Sequence, residues 1–491
     1  MKKKGTWLAV LLIVVFIAVL VWFQNIIHSS NGDAQADANE DVVTIRIWYT
    51  DEALTDYLTS ASVAYLDEYG VRVVPELHTG LEYLNEINMA SLSGEDMPDL
   101  YIMGTDSIER AAMSGLAIPV LDERDAITLM NYPQVAIDSV TYHNEVFGYP
   151  FYFETAFMLY NQSYLREMAD RALRREIGQE VVETTTDSDS NSDSSTEAGD
   201  ADDAGDGGMS DIEEVSLDTP PEGYTEDEWK VLVEERMQKM LPTSIEDILS
   251  FANAYSTPDN VENIFLWDVS DIFYNYFFTG AYMHVGGQYG DDASIVDIYN
   301  SDTVRCMEVY QGLHQFFSIE SRESSYESVL DTFLDGETIF MIATTDAVPS
   351  IVEAQHDGRF YWDYSVTSLP GVDSEHDATG LSSTNAVIVN GYTEHRAEAD
   401  DFAKFVTVDY IDSLFSRTGK LSAANGKDDY ITDATDLARD MYKESVPLPK
   451  LLQLNDFWVE LELAYIRIWD GADVETTLSE LQDKITDQLS K

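Results

Sequence analysis

The chain has 491 residues, with 91 Asp and Glu against 28 Lys and Arg, a formal charge of −63. That balance excludes a general nucleic-acid binder, which needs a basic face to neutralise phosphates, and argues against docking on an anionic lipid surface. One cysteine, Cys306, leaves no intramolecular disulfide, so two to three domains or one large two-lobed unit must stabilise themselves through a large core.

Taken in chain order, Lys2, Lys3 and Lys4 precede an uncharged apolar run from Thr6 to Phe23. At about 1.5 Å per helical residue this run nearly crosses a hydrocarbon core of roughly 30 Å, and the lysines place the remainder outside the cell. Residues 1–28 therefore read as a signal anchor holding the protein at the cell membrane through that helix alone. Cleavage near Ala34-Gln35-Ala36 is the rival, but the run exceeds the usual ~7–15 residues and the alanines lie well beyond its end. Residues 29–41 are a polar tether. Val43, Ile45 and Ile47 then alternate as in a strand, and Leu54 to Tyr65 recur at helical spacing before Gly70. A strand at 71–74, a helix over 81–92 and a strand at 100–103 complete a strand–helix alternation, which implies parallel pairing and an α/β class.

Val146-Phe147-Gly148-Tyr149-Pro150 leads into an apolar strand ending at Leu159-Tyr160-Asn161. Between Glu176 and Trp229 there are 19 acidic residues and no Lys or Arg, so residues 176–225 read as a disordered acidic insertion. Asp187, Asp189, Asn191 and Asp193 alternate like calcium ligands, yet Ser192 stands at the required glycine and Ala198 at the required glutamate. Regular structure resumes at Pro242, with Thr243 and Glu246 spaced as a capping box. Aromatic helical sequence spans Asp271 to Tyr282, and the helix around Val304 to Phe317 holds Cys306 as a small buried hydrophobe. Strands follow at 338–342, 362–369 and 386–389, and helices at 398–406, 454–469 and 474–488.

These motifs fall in one order: Met97-Pro98-Asp99-Leu100, Ser114-Gly115-Leu116, Val146 to Pro150, Leu159-Tyr160-Asn161, Pro242 to Asp247, Thr332 to Glu337, Ser368 to Gly371, Phe402 to Val406 and Arg417-Thr418-Gly419-Lys420. In that order the chain resembles the family-1 extracellular solute-binding proteins, the maltodextrin-binding type that delivers sugars to ABC importers. The resemblance implies an α/β, two-lobed periplasmic-binding-protein-like (type II) fold. Lobe 1 would comprise residues 42–152 and 382–424, and lobe 2 residues 153–381 and 425–491, with the acidic insertion inside lobe 2. Hinge strands would cross near 151–155, 379–383 and 421–424. It further implies a monomer that is no enzyme, holds no cofactor or metal, captures a carbohydrate and hands it to the permease subunits. Two departures stand out: no cysteine offers a lipid anchor, and Asp346 replaces the aromatic that the family carries after the 338–342 strand.

Sugar sites need flat apolar faces for the ring C–H surfaces and carboxylates or amides for the hydroxyls. The resemblance maps that requirement onto Tyr49, Asp51, Asp106, Glu154, Asp271, Phe273, Tyr274, Tyr276, Asp346, Ser383 and Trp458. Helix capping is the competing role for Asp51 and Asp106, and core packing for the aromatics. Two other functions compete. A glycoside hydrolase would use two of Asp106, Glu154 and Asp271 roughly 5–10 Å apart. A surface sensor or adhesion component would keep the binding lobes and signal through a partner. No Gly-x-Ser-x-Gly, His-Glu-x-x-His or Gly-x-Gly-x-x-Gly occurs.

Overall fold

The computed structural model describes residues 42–490 except 81, 95, 123–124, 179–218, 318, 320–323, 427–431 and 455–456. The predicted anchor and tether, and most of the acidic insertion, lie outside the described residues. Among the described residues no helix is long and apolar enough to cross a membrane.

Strands β1 (Thr44–Tyr49), β2 (Arg72–Leu77) and β3 (Leu100–Gly104) are joined through helices Thr55–Tyr69 and Tyr83–Ser93. β1 pairs in parallel with both β2 and β3, the arrangement expected when each crossover is a helix. Both helices end on glycines held at positive φ, Gly70 at 71° and Gly94 at 70°, whose N–H groups close the last turns on Leu66 and Ala90. Any other residue would be strained there.

The strand that organises the molecule is β4 (Tyr149–Asn161). It is buried along its whole length except at Glu154, because apolar and aromatic side chains cover both of its faces. Three further strands are β5 (Asn263–Leu266), β6 (Thr338–Thr344) and β7 (Tyr364–Thr367), and a fourth is β8 (Leu381–Val389). Residues Tyr149 to Thr155 of β4 pair with β8, which in turn pairs with β3. Residues Ala156 to Asn161 pair with β6 and β7 instead. The sheet order β2–β1–β3–β8–β4–β6–β5 thus consists of two halves that share one strand. At the change of partners the Thr155 hydroxyl donates to the Leu381 carbonyl at 3.0 Å, and Leu421–Ser422 adds a second short pairing on Phe153 and Tyr152.

Three details differ from the sequence reading. Residues Glu226–Met240 form a helix where no regular structure was expected before Pro242. Its charged surface hides a narrow buried stripe of Trp229, Val233, Met237 and Met240, and Thr225 with Glu228 forms its capping box. The trailing end of the expected disordered insertion is also packed: Tyr224 meets Trp229 at 5.2 Å, and Thr219 accepts from Arg174 at 2.7 Å. The capping box near residue 243 is Ser244 with Asp247, one position beyond Thr243 and Glu246, and Thr243 adds its own N–H and hydroxyl to the same carboxylate. Finally, Asp271 to Tyr282 is not one helix but two short 3-10 turns, Ile272–Tyr274 and Tyr276–Phe278. The Asn275 amide donates to the carbonyls of Asp268 and Asp271, at 2.8 and 2.6 Å, and so takes acceptors that a continuing helix would use.

Candidate functional site

Three acidic residues follow the carboxyl ends of strands, the edge at which α/β sheets present ligands. Asp51 comes just after β1, Asp106 just after β3 and Asp346 just after β6. Glu154 points from β4 beside its change of partners. The 3-10 turn Ile272–Tyr274 faces them, set by Asp271, whose carboxylate accepts from the Phe273 N–H at 2.8 Å. Trp458 sits in the first turn of helix Phe457–Trp469.

These elements surround a cavity of about 410 Å³, lined by Asp106, Glu154, Asp271, Phe273, Tyr274, Asp346 and Trp458 together with Ile272, Thr344, Leu381 and Leu448. The volume lies in the range of ligand clefts, ~300–1,000 Å³. One side comes from the β3–β8 half, the other from the β5–β6 half. A wider surface groove of about 490 Å³ beside Tyr361 and Trp362 gathers none of the predicted residues.

The aromatic faces are held rigidly. The Trp458 ring meets Tyr276 edge-on at 6.1 Å and Phe457 at 4.9 Å. Tyr274 stacks on Tyr326 at 4.6 Å and 13° between planes, and lies 3.5 Å from the Thr344 hydroxyl. The Tyr326 hydroxyl donates to Asp346 at 3.2 Å, and the Thr344 hydroxyl donates to the same oxygen. The position where an aromatic was expected is therefore a carboxylate oriented by two hydroxyls.

Four predicted residues stand outside the lining. Tyr49 is 2% exposed, packed in the core with its hydroxyl on Thr55 at 3.0 Å, so it offers no ring face to the cavity. Tyr276 is buried and supports Trp458 from behind. Ser383 pairs with Glu154 across β8 and β4. Asp51 caps the 3-10 turn that begins at Glu52, accepting from the Ala53 N–H at 3.0 Å, and is tied to Lys420 at 2.7 Å. Asp106 lies inside the 3-10 turn Thr105–Ser107, and the N-cap position of the following helix Ile108–Met113 is held by Ser107.

No family model matches the chain, and no curated protein matches it in sequence. Solved structures do match its fold over nearly the whole length. One is a cyclo/maltodextrin-binding protein complexed with maltotetraose, at a TM-score of 0.65 and 15% identity, covering 92% of this chain and 98% of that one. A second is an extracellular solute-binding protein from Staphylococcus aureus in complex with maltose, also 0.65 and 15%, covering 91% and 98%. A third is MalX from Streptococcus pneumoniae in complex with maltopentaose, at 0.61 and 15%, covering 90% and 99%. The chain has the two-lobed α/β fold of the extracellular solute-binding proteins.

In this solute-binding fold the cavity lies between the lobes, and its electrostatics follow from enclosure. Burial pushes the Glu154 carboxyl up; Lys420, 3.8 Å away, opposes this, and the charges of Asp346 and Asp51 add to it. Burial likewise raises Asp271, against the Phe273 N–H and with the help of Asp268. Asp106 keeps surface open to the cleft, yet loss of water around it raises it too, against its bonds to Ser107 and the charge of Arg110. A raised carboxyl takes up protons in the folded state before it does so unfolded. Stability therefore falls as pH climbs from the ordinary carboxylate value, about 4, through the raised one. The unliganded protein is expected to melt at a higher temperature at about pH 5 than at about pH 7, helped by its smaller net charge. A calorimetric scan with the opposite order would contradict this picture of the cleft.

Lys420 is the residue that the sequence reading missed. Its ammonium bridges Asp51 and Glu154 and lies over the Tyr152 ring at 4.9 Å. The signal was its place at the end of Arg417-Thr418-Gly419-Lys420, directly before the short strand Leu421–Ser422. Among the described residues no group of three or more His, Cys, Asp or Glu is placed to hold a metal ion.

Proposed function

We propose that this protein is an extracellular solute receptor that closes its two lobes on a carbohydrate and presents it to an ABC importer. The observation that carries the reading is the cavity itself. Aromatic faces at Trp458, Phe273 and Tyr274 stand opposite carboxylates from the other lobe, the pairing that sugar rings and their hydroxyls require. The likeness to folds solved with maltose, maltotetraose and maltopentaose supports a saccharide as the ligand class. Closure would be driven only by contacts that both lobes make with the ligand in the closed state, and hinge bending about β4 and β8 is the natural motion. In this reading the apolar run at residues 6–23 holds the receptor at the membrane with its lobes outside, near the permease subunits that receive the ligand.

The test is thermal unfolding of the purified protein against a panel of mono- and oligosaccharides, with product analysis of each mixture. A saccharide at a hundred times its Kd is expected to add about 2.7 kcal/mol, a shift of a few degrees for a chain of this size, with the sugar recovered intact. A flat response across the panel would overturn the carbohydrate assignment. Cleavage of the bound sugar would instead make the protein a hydrolase.

A further inference from the structure

Among the described residues the cavity lining carries four carboxylates, Asp106, Glu154, Asp271 and Asp346, and no Lys, Arg or His. Two cations stand at its margin, and both are engaged. Lys420 is held by Asp51 at 2.7 Å and reaches Glu154 only at 3.8 Å, while Arg110 offsets part of the Asp106 charge. The donors bound to Asp271 and Asp346 are a backbone N–H and two hydroxyls, which supply hydrogen bonds but no charge. Behind the lining, Asp268 and Glu462 add further negative charge beside Asp271.

This imbalance has an energetic consequence for lobe closure. Closing over a neutral polyol would strip water from carboxylates whose charge Lys420 and Arg110 offset only in part, a costly step. A ligand bearing an ammonium group removes that cost. The aromatic wall favours the same charge independently, since the Trp458 and Tyr274 rings border the carboxylates and a cation is attracted to such faces.

We propose that the cleft selects an amine-bearing saccharide, a sugar or short oligosaccharide with free ammonium groups, over its neutral counterparts. This rests on the solute-receptor reading and narrows it to a substrate class. One wall would stack the ring while Asp346 and Asp271 beside the β5–β6 half of the sheet, and Glu154 and Asp106 from the β3–β8 half, receive the ammonium.

The test is calorimetric titration of the full chain at about pH 6.5, where such amines are largely charged, with a glucosamine tetramer, its N-acetylated counterpart and maltotetraose. The glucosamine tetramer is expected to bind at least about tenfold more tightly than either neutral ligand, with the gap narrowing at high salt. Asp346→Asn, a change at an exposed residue that leaves the core untouched, is expected to weaken the glucosamine tetramer several-fold more than a neutral ligand. Equal or tighter binding of a neutral tetramer overturns the amine preference and leaves the receptor reading standing. Binding of none of the three overturns the receptor reading and the preference together.

Discussion

Asp170→Ala is expected to destabilise the protein by about 3–5 kcal/mol. The reason is Arg174, whose side chain is fully buried in helix Gln162–Glu176. Its Nε donates to Asp170 at 2.5 Å, its Nη2 to the Thr219 carbonyl at 2.7 Å, and its guanidinium lies over the Trp229 ring at 5.5 Å. The second Asp170 oxygen accepts from the Trp229 indole N–H at 2.5 Å. Arg174 Nη1 already has no hydrogen-bond partner among the described residues. Removing the carboxylate therefore strands a buried cation and an indole donor at once. Replacing both members of the ion pair with apolar residues, Asp170→Leu with Arg174→Met, is expected to cost far less, because no buried charge is left behind. Urea unfolding with a constant slope would measure both variants. A loss below about 1 kcal/mol for Asp170→Ala would show that solvent reaches this site.

Trp458→Ala should weaken saccharide binding by about 2 kcal/mol, roughly thirtyfold in Kd, while leaving the fold largely intact. Trp458 is only half-buried, so the core term is modest, but it lines the cavity and carries the large indole ring on which a sugar can stack. Tyr276 and Phe457 hold that face in place, so little conformational entropy is lost when a ring stacks on it. Trp458→Phe is expected to restore most of the affinity, as a smaller aromatic face would. Tyr276→Phe serves as the positional control, because its hydroxyl reaches only the Met283 carbonyl at 3.4 Å while its ring is what supports Trp458. Titration of the three variants with one saccharide separates stacking from support. Unchanged affinity for Trp458→Ala would place the ligand elsewhere.

Much of the site was legible because strand ends are legible. Alternation and glycine stops located β1, β3 and β6, and ligands in α/β folds gather just past such ends, which placed Asp106 at such an edge, while Asp346 was singled out by the family resemblance. Tyr49 fell away for the same local reason: alternation along β1 turns its ring into the core, one side-chain period before the edge. Residues Asp271 to Tyr276 were found as an aromatic cluster, but their spacing read as helical. The Asn275 amide, by bonding the chain's own carbonyls, broke the segment into turns that aim Phe273 and Tyr274 at the cleft and Tyr276 behind it.

Composition and pattern alone determined the acidity, the α/β class and the strand–helix alternation from β1 to β3, since each depends on side-chain type and spacing within one segment. Long-range pairing lay beyond them. The resemblance implied a crossing near 151–155, but only the tertiary structure decided which strands β4 pairs with on either side of Thr155 and Ala156. It alone brought Lys420 to Asp51 and Glu154, residues hundreds of positions away. It alone buried the Lys450 ammonium, 2% exposed, against the carbonyls of Asp138 and Tyr289, where loss of water pulls its pKa down to about 8. A lysine in Pro449-Lys450-Leu451 carries no sign of that fate, because burial of a charge is set by what other segments pack around it.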